Sequence, residues 1–213
     1  LASLKTSQLI GVSSSQIAAL STNQIVALTT EQASSMTSTQ LAGLTTGQIR
    51  ALQTDDLLAM TTAQITKLST AQLQGLGTDQ IAVMSTDQIY GLSTQQVISL
   101  NTAQVVALTT AQFAALTTNE VSKLTTAQIA AIETTDLTVL NSDQVAALTT
   151  AQIKALTTAQ VVSLTTDQIQ AIETNDLLQM TTAQIAALTD SQVSSLTTAQ
   201  IVALTTAQVA NLT

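Results

Sequence analysis

The sequence predicts an all-α protein: a solenoid of very short capped helices, about five to seven residues each, one per eight-residue repeat. Three observations predict it. A glutamine recurs every eighth residue from Gln8, Gln16 and Gln24 to Gln208 without insertion or deletion, replaced only by Asp56, Glu120, Asp136 and Asp176. Helix-start signals are stacked in the same order in nearly every octad. Each octad also carries two large apolar side chains, too few to fold alone, so burial requires stacking of neighbours.

The nine-residue stretch Leu196–Leu204 (LTTAQIVAL), one octad with the leucine before it, shows how the signals combine. Thr197 as N-cap and Gln200 three residues later have the spacing of a capping box, in which each side chain satisfies the other's backbone N–H. Leu196 and Ile201 flank it at the spacing of a hydrophobic staple. The residues Ala199 to Ala203 are mostly good or neutral helix formers. The next Leu-Thr-Thr then starts a new cap. The alternative frame caps with Thr198, whose position is Ser or Thr everywhere except Asp190, as an N-cap prefers. The first frame is favoured because only it uses both the glutamine and the staple.

Two rival architectures fail. In one long helix, eight residues advance about 800°, so the apolar stripe drifts about 80° per octad, and no supercoil near 3.5 or 3.67 residues per turn absorbs that. In a β-solenoid, residues three apart such as Ile201 and Leu204 face opposite sides of a strand. No glycine or proline recurs once per octad to turn its corners.

Comparison of octads assigns each position a task. The Ile201-type position is apolar throughout, between the size extremes Ala33 and Phe113, and the Leu204-type position is Leu, Ile, Met or Val. These form the expected core, with the four methionines as filler. The Ala203-type position is mostly small, which points to a close backbone approach, with Lys67, Lys123, Val83, Val139 and Gln179 as exceptions. The Val202-type position accepts Arg50, Tyr90, Lys154 and Val106 alike and is expected to face solvent. Where aspartate replaces glutamine, the cap also changes: Gln53 with Asp56, Glu133 with Asp136, Glu173 with Asp176. A reciprocal contact within each pair would explain the exchange. The last two pairs lie five octads apart, and Gln53/Asp56 ten octads before the first of them, suggesting a forty-residue duplication unit. Helices pack about 8–10 Å apart, so three or four octads per coil turn leave a lumen that Leu and Ile/Val can fill, whereas five leave a void.

Residues 1–213 read as one continuous octad array, least regular over residues 1–16. The array starts in mid-octad at Leu1 and stops in mid-octad at Thr213, and neither end has the polar outer face of a capping repeat. The expectation is therefore a window of a longer array.

Composition excludes most chemistry. Hydrophobic content is 45% with one Phe, one Tyr and no Trp, and no apolar run is long enough to span a membrane. Net charge is −8 with only five basic residues, against the clustered Lys/Arg that nucleic acid or anionic lipid requires. Cysteine and histidine are absent, removing the usual forms of nucleophilic triads, zinc sites and haem ligation. The scattered glycines form no phosphate-cradling loop, and the aspartates are too sparse for a calcium repeat. Asp55 and Asp56 are adjacent, so on a helix they do not face each other as an acid–base pair. With Asp79, Asp87, Asp143 and Asp167 they read as first-turn acids favoured by the helix dipole. No catalytic, cofactor or metal residue is therefore predicted, nor an enzyme, a small-molecule substrate or a cofactor. The threonines remain: aligned hydroxyls could order water or ice or carry O-linked sugars, while helix capping accounts for their spacing without a ligand.

The phrase T-T-A-Q-[IV]-x-A-L, as in Thr149–Leu156 and Thr157–Leu164, resembles the low-complexity repeat tracts of giant bacterial surface or secreted adhesin-like proteins. The resemblance covers essentially the whole chain. It implies an extracellular or cell-surface stalk or filament, with self-association or neighbouring repeats of the same chain as the partners. A threonine-rich binding surface, ice- or water-ordering or glycan-bearing, is the alternative.

Overall fold

The computed structural model describes residues 3–212. Leu1 and Thr213, on which the reading of a window from a longer array rests, lie outside the described residues. Among the described residues there are 26 α-helices, α1 (Thr6–Ile10) to α26 (Thr206–Val209), and no strand. Each octad holds one helix of four to six residues, slightly shorter than expected. The chain forms two compact units, Leu1–Leu108 and Thr109–Thr213, each built in the same way.

Each helix is capped at the position where the first threonine usually stands. In α19 (Thr150–Ala155) Thr149 is the N-cap, with extended backbone, and its hydroxyl accepts the Gln152 N–H while Gln152 Oε1 accepts the Thr149 N–H. The frame with the second threonine as cap is thereby excluded; that residue is the first helical position. Each helix ends without glycine in the left-handed region, for no described residue has positive φ. Instead a residue such as Leu156 swings to φ −59°, ψ 134° and leads into the next cap.

Packing within each unit is between helices three octads apart. In the first unit α3 (Thr22–Val26) meets α6 (Thr46–Ala51), which meets α9 (Thr70–Gly75). In the second, α16 (Thr126–Ala131) meets α19, which meets α22 (Thr174–Gln179). Hydrogen bonds recurring at a separation of 28 residues, three and a half octads, run beside these contacts. Each coil turn therefore holds between three and four octads, as the narrow lumen requires. The forty-residue pattern is not the superhelical turn.

The two apolar positions fill that lumen. The Ile-type residues Ile49, Ile81, Ile129 and Ile153 are at most 1% exposed, and the Leu-type residues beside them are almost as enclosed. Met36, Met60 and Met84 sit in the core of the first unit and Met180 in that of the second. Arg50, Tyr90, Lys154 and Val106 point outward, so the Val202-type position is indeed the solvent face. The small Ala203-type position lies against the first helical residue 29 positions earlier. A Cβ on Gly75 would stand 3.1 Å from Thr46 Cβ and 3.2 Å from its carbonyl oxygen, so two coil turns nearly touch there. Side chains too long for that gap, Lys67, Lys123 and Gln179, are exposed and run outward.

These placements predict unequal responses to truncation. Ile153→Ala should destabilise the second unit by about 2–5 kcal/mol through lost burial and a cavity. Val202→Ala, at a side chain 79% exposed, should stay within about 0.5 kcal/mol of the parent. Urea unfolding followed by circular dichroism reads both; equal effects would contradict the assignment of inner and outer positions.

Candidate functional site

The most built feature of the molecule is the row of octad glutamines. A capping-box side chain needs only an acceptor oxygen, a role glutamate fills as well as glutamine. Glutamine has in addition an NH2 with two donors, and the structure uses both ends of the amide. Gln184 Oε1 accepts the Thr181 N–H at 2.8 Å, and its Nε2 donates to the carbonyls of Ile153 at 2.9 Å and Leu156 at 2.8 Å. Gln160 repeats this with Ile129 and Ile132, and Gln72 with Leu41 and Leu44, at separations of 31 and 28 residues. Each of these glutamines therefore caps the start of its own helix and the end of the helix four octads earlier.

That arrangement settles where the helix ends find their partners. The last carbonyls of a helix have no intrahelical donor, and burying them unpaired costs about 1–3 kcal/mol each. Helices this short consist almost entirely of ends, so an unserved end would be ruinous. Gln128, Gln152 and Gln184 are 2–3% exposed, buried as their uniformity predicts. Their contact with their own helix starts is the expected capping box. The bridge to the preceding turn was missed by sequence reasoning. Its signal was there: Glu120 is the sole glutamate in a series where glutamate would cap equally well.

The exchanged pairs follow from the same bridge. The expected reciprocal contact between cap and third helical residue does not form: Gln53, Glu133 and Glu173 make no side-chain cap bond to their helices. Gln53 instead sends its Nε2 to the Val26 carbonyl at 2.6 Å, 27 residues back, so the long amide still reaches the previous turn from a different position. The short aspartates recruit a hydroxyl. Thr110 Oγ1 donates to Asp136 Oδ1 at 2.8 Å and Thr150 Oγ1 to Asp176 Oδ1, both from 26 residues earlier. At Asp56, 2% exposed, Oδ2 is buried with no partner. Burial pushes this carboxyl above the ordinary carboxylate range, the neighbouring Asp55 adds to the rise, and the backbone N–H of Gln53 opposes it.

The remaining acids take ordinary places. Asp55, Asp79, Asp87, Asp143 and Asp167 stand in the first turns of their helices. Among the described residues no three acidic side chains converge to hold a metal ion, and no helix is long and apolar enough to cross a membrane.

A chain whose helices are defined by one repeating octad, stacked within each unit on octads three and four earlier, is a helical repeat protein. A family model described as the ALTTAQ repeat matches residues 1–30 and, in overlapping segments, 49–206, and the chain belongs to that repeat family. No curated protein matches it.

Two measurements test the amide bridge. Gln152→Glu keeps the capping box but turns an oxygen toward the Val121 and Leu124 carbonyls, and should cost at least about 1–3 kcal/mol at neutral pH. Gln24→Glu, at an exposed residue with only its own cap to serve, should be nearly neutral; equal costs would contradict the bridge. For Asp56 the folded-state affinity for the proton is raised, so its contribution is present at acid pH and lost as pH rises through the raised value. The first unit should therefore be more stable just below the ordinary carboxylate range than at neutral pH. Asp56→Asn, which supplies a donor without charge, should remove that dependence and raise stability at neutral pH. An unchanged pH profile in the variant would contradict this reading.

Proposed function

We propose that this chain is a structural repeat region: a stalk or filament segment at the cell surface or outside the cell, whose work is to span distance. It has no catalytic activity in this reading. The observation that carries it is where the specific chemistry goes. The glutamine amides, cap hydroxyls and apolar side chains of each octad are engaged with that octad and its neighbours, as in Thr181, Gln184 and Ile185. The outward position, in contrast, carries residues as unlike as Arg50, Tyr90 and Lys154. An interior specified octad by octad beneath an unspecified exterior suits a part whose length matters more than its surface. The extracellular setting follows from the resemblance to adhesin-like repeat tracts.

The alternative, a threonine-rich binding face, draws on the exposed threonines at the first helical position, such as Thr46, Thr158 and Thr198. The spacer reading is favoured because the other threonine of each pair, for example Thr157, accepts a backbone N–H as cap. The first-position residues are also partly enclosed by the next turn, as Thr46 is by Gly75.

Deleting the octad Thr149–Leu156 separates the two. Every bridge is set by sequence separation, and adjoining octads offer equivalent carbonyls, so the shortened chain should fold, its stability reduced by about one unit and one interface. In the full-length parent protein, attachment or assembly should persist with reach shortened in proportion. Substituting Thr46, Thr158 and Thr198 with Ala spares the caps. If those changes abolish a specific surface-binding or ice-recrystallisation activity while the deletion is silent, the spacer reading falls and the threonine face takes its place.

A further inference from the structure

We propose that Asp56 and the end of α3 form a site for a single monovalent cation, sodium or potassium, held between two coil turns of the first unit. Asp56 occupies the octad position from which glutamine donates to the carbonyls 31 and 28 residues earlier, as Gln48 does to Ile17 and Leu20. For Asp56 the corresponding residues are Ile25 and Leu28. Aspartate is one methylene shorter than glutamine and, when ionised, has no donor. The Ile25 carbonyl keeps the Leu28 N–H, but among the described residues no hydrogen bond reaches the Leu28 carbonyl. Asp56 Oδ2 is likewise buried without a partner. Gln53 does not serve these oxygens, for its amide goes to the Val26 carbonyl. Neither does Thr30. It stands 26 residues before Asp56, the separation from which Thr110 and Thr150 donate to Asp136 and Asp176, yet its hydroxyl makes no bond to Asp56.

The place that an amide nitrogen fills in other octads is therefore left to oxygens: the Asp56 carboxylate, the carbonyls of Ile25 and Leu28, and the Thr30 hydroxyl at the rim. Charge decides what suits it. A water molecule donates to two acceptors but leaves a buried carboxylate uncompensated, which is costly. The packed helices bring no counter-charge. α7 (Thr54–Ala59) packs on α4 (Thr30–Ser35) and α10 (Thr78–Val83), and the charged residues of all three are Glu31, Asp55, Asp56 and Asp79, with no lysine or arginine. Carbonyls at a helix end add negative partial charge. One monovalent cation matches the one buried charge. Calcium takes about six to eight oxygens and magnesium keeps several waters, more than a single carboxylate that is 2% exposed can gather. At Asp136 and Asp176 a threonine hydroxyl already supplies the donor, so the site is particular to Asp56. Most of its ligands are backbone oxygens, which is why composition does not reveal it.

The cation site goes beyond the spacer reading and stands or falls apart from it, because its test touches neither length nor outer surface. The experiment unfolds the 213-residue chain in urea, followed by circular dichroism at neutral pH. Sodium, potassium, calcium and tetramethylammonium chlorides are compared at equal ionic strength, the last cation being too large to pass between the turns. The parent's midpoint should rise with sodium or potassium relative to tetramethylammonium. In Asp56→Asn, which puts a donor in place of the charge, sodium, potassium and tetramethylammonium should give one midpoint, no lower than the parent's in tetramethylammonium. Asp55→Asn removes an equal charge from an exposed neighbour and should keep the alkali-specific rise. Equal midpoints for the parent in these three salts would overturn the proposal, leaving Asp56 to water or a proton alone. A rise that Asp56→Asn retains, or that Asp55→Asn abolishes, would overturn it too, since the effect would then belong to the acidic surface. A rise given by calcium and by neither alkali cation would contradict the match of one charge to one charge.

Discussion

The structure depends on one side-chain amide serving two helices. A helix of four to six residues is far below the length at which isolated helices persist in water, about 12–15 residues even for alanine-rich chains. Nearly every backbone group in such a helix belongs to one terminus or the other. Gln160 shows how this is solved: its oxygen holds the start of its own helix, and its nitrogen holds the end of a helix in the preceding turn. Local capping and long-range assembly are one interaction. Either alone would leave buried polar groups unserved, so helix formation and coil closure are expected to be strongly coupled.

The remaining constraints follow from that bridge. A nitrogen reaching carbonyls 28 and 31 residues back fixes the number of octads in a coil turn between three and four. It thereby fixes a lumen that two aliphatic side chains per octad can fill. It draws adjacent turns together until the Ala203-type position has little room, as at Gly43, where a Cβ would stand 2.8 Å from Ser14 Cβ. It also explains the exceptions. At Gln53 the amide moved and kept its reach, whereas Asp136 and Asp176 abandoned it and recruited hydroxyls instead.

Much of this was legible in the sequence. Thr197 and Gln200 at capping-box spacing located the helix start, and the uniformly apolar Ile201 and Leu204 positions located the core, because both depend on contacts within one octad or between equivalent ones. The variable Arg50 and Tyr90 position was readable as surface for the same reason. What the sequence did not reveal was the second partner of the glutamine. A separation of 28 residues is not a multiple of eight, so the octad period conceals it. The exchange at Gln53 and Asp56 was visible but suggested a contact inside one helix, since nothing in the sequence says that a cap side chain can reach a neighbouring turn.

Hydrogen exchange of the glutamine side-chain amides, resolved residue by residue by NMR, tests the bridge most directly. Amide protons held between a helix start and the carbonyls of the previous turn exchange only when the turns separate. The Nε2 protons of Gln72, Gln160 and Gln184 should therefore be protected to the same degree as the backbone amides of the core around them. Those of Gln8, Gln16 and Gln24 in dilute solution should exchange at the rate of free side chains. Uniformly fast exchange along the whole series, with the backbone still protected, would show that the coil is held by its apolar lumen alone and would contradict the account.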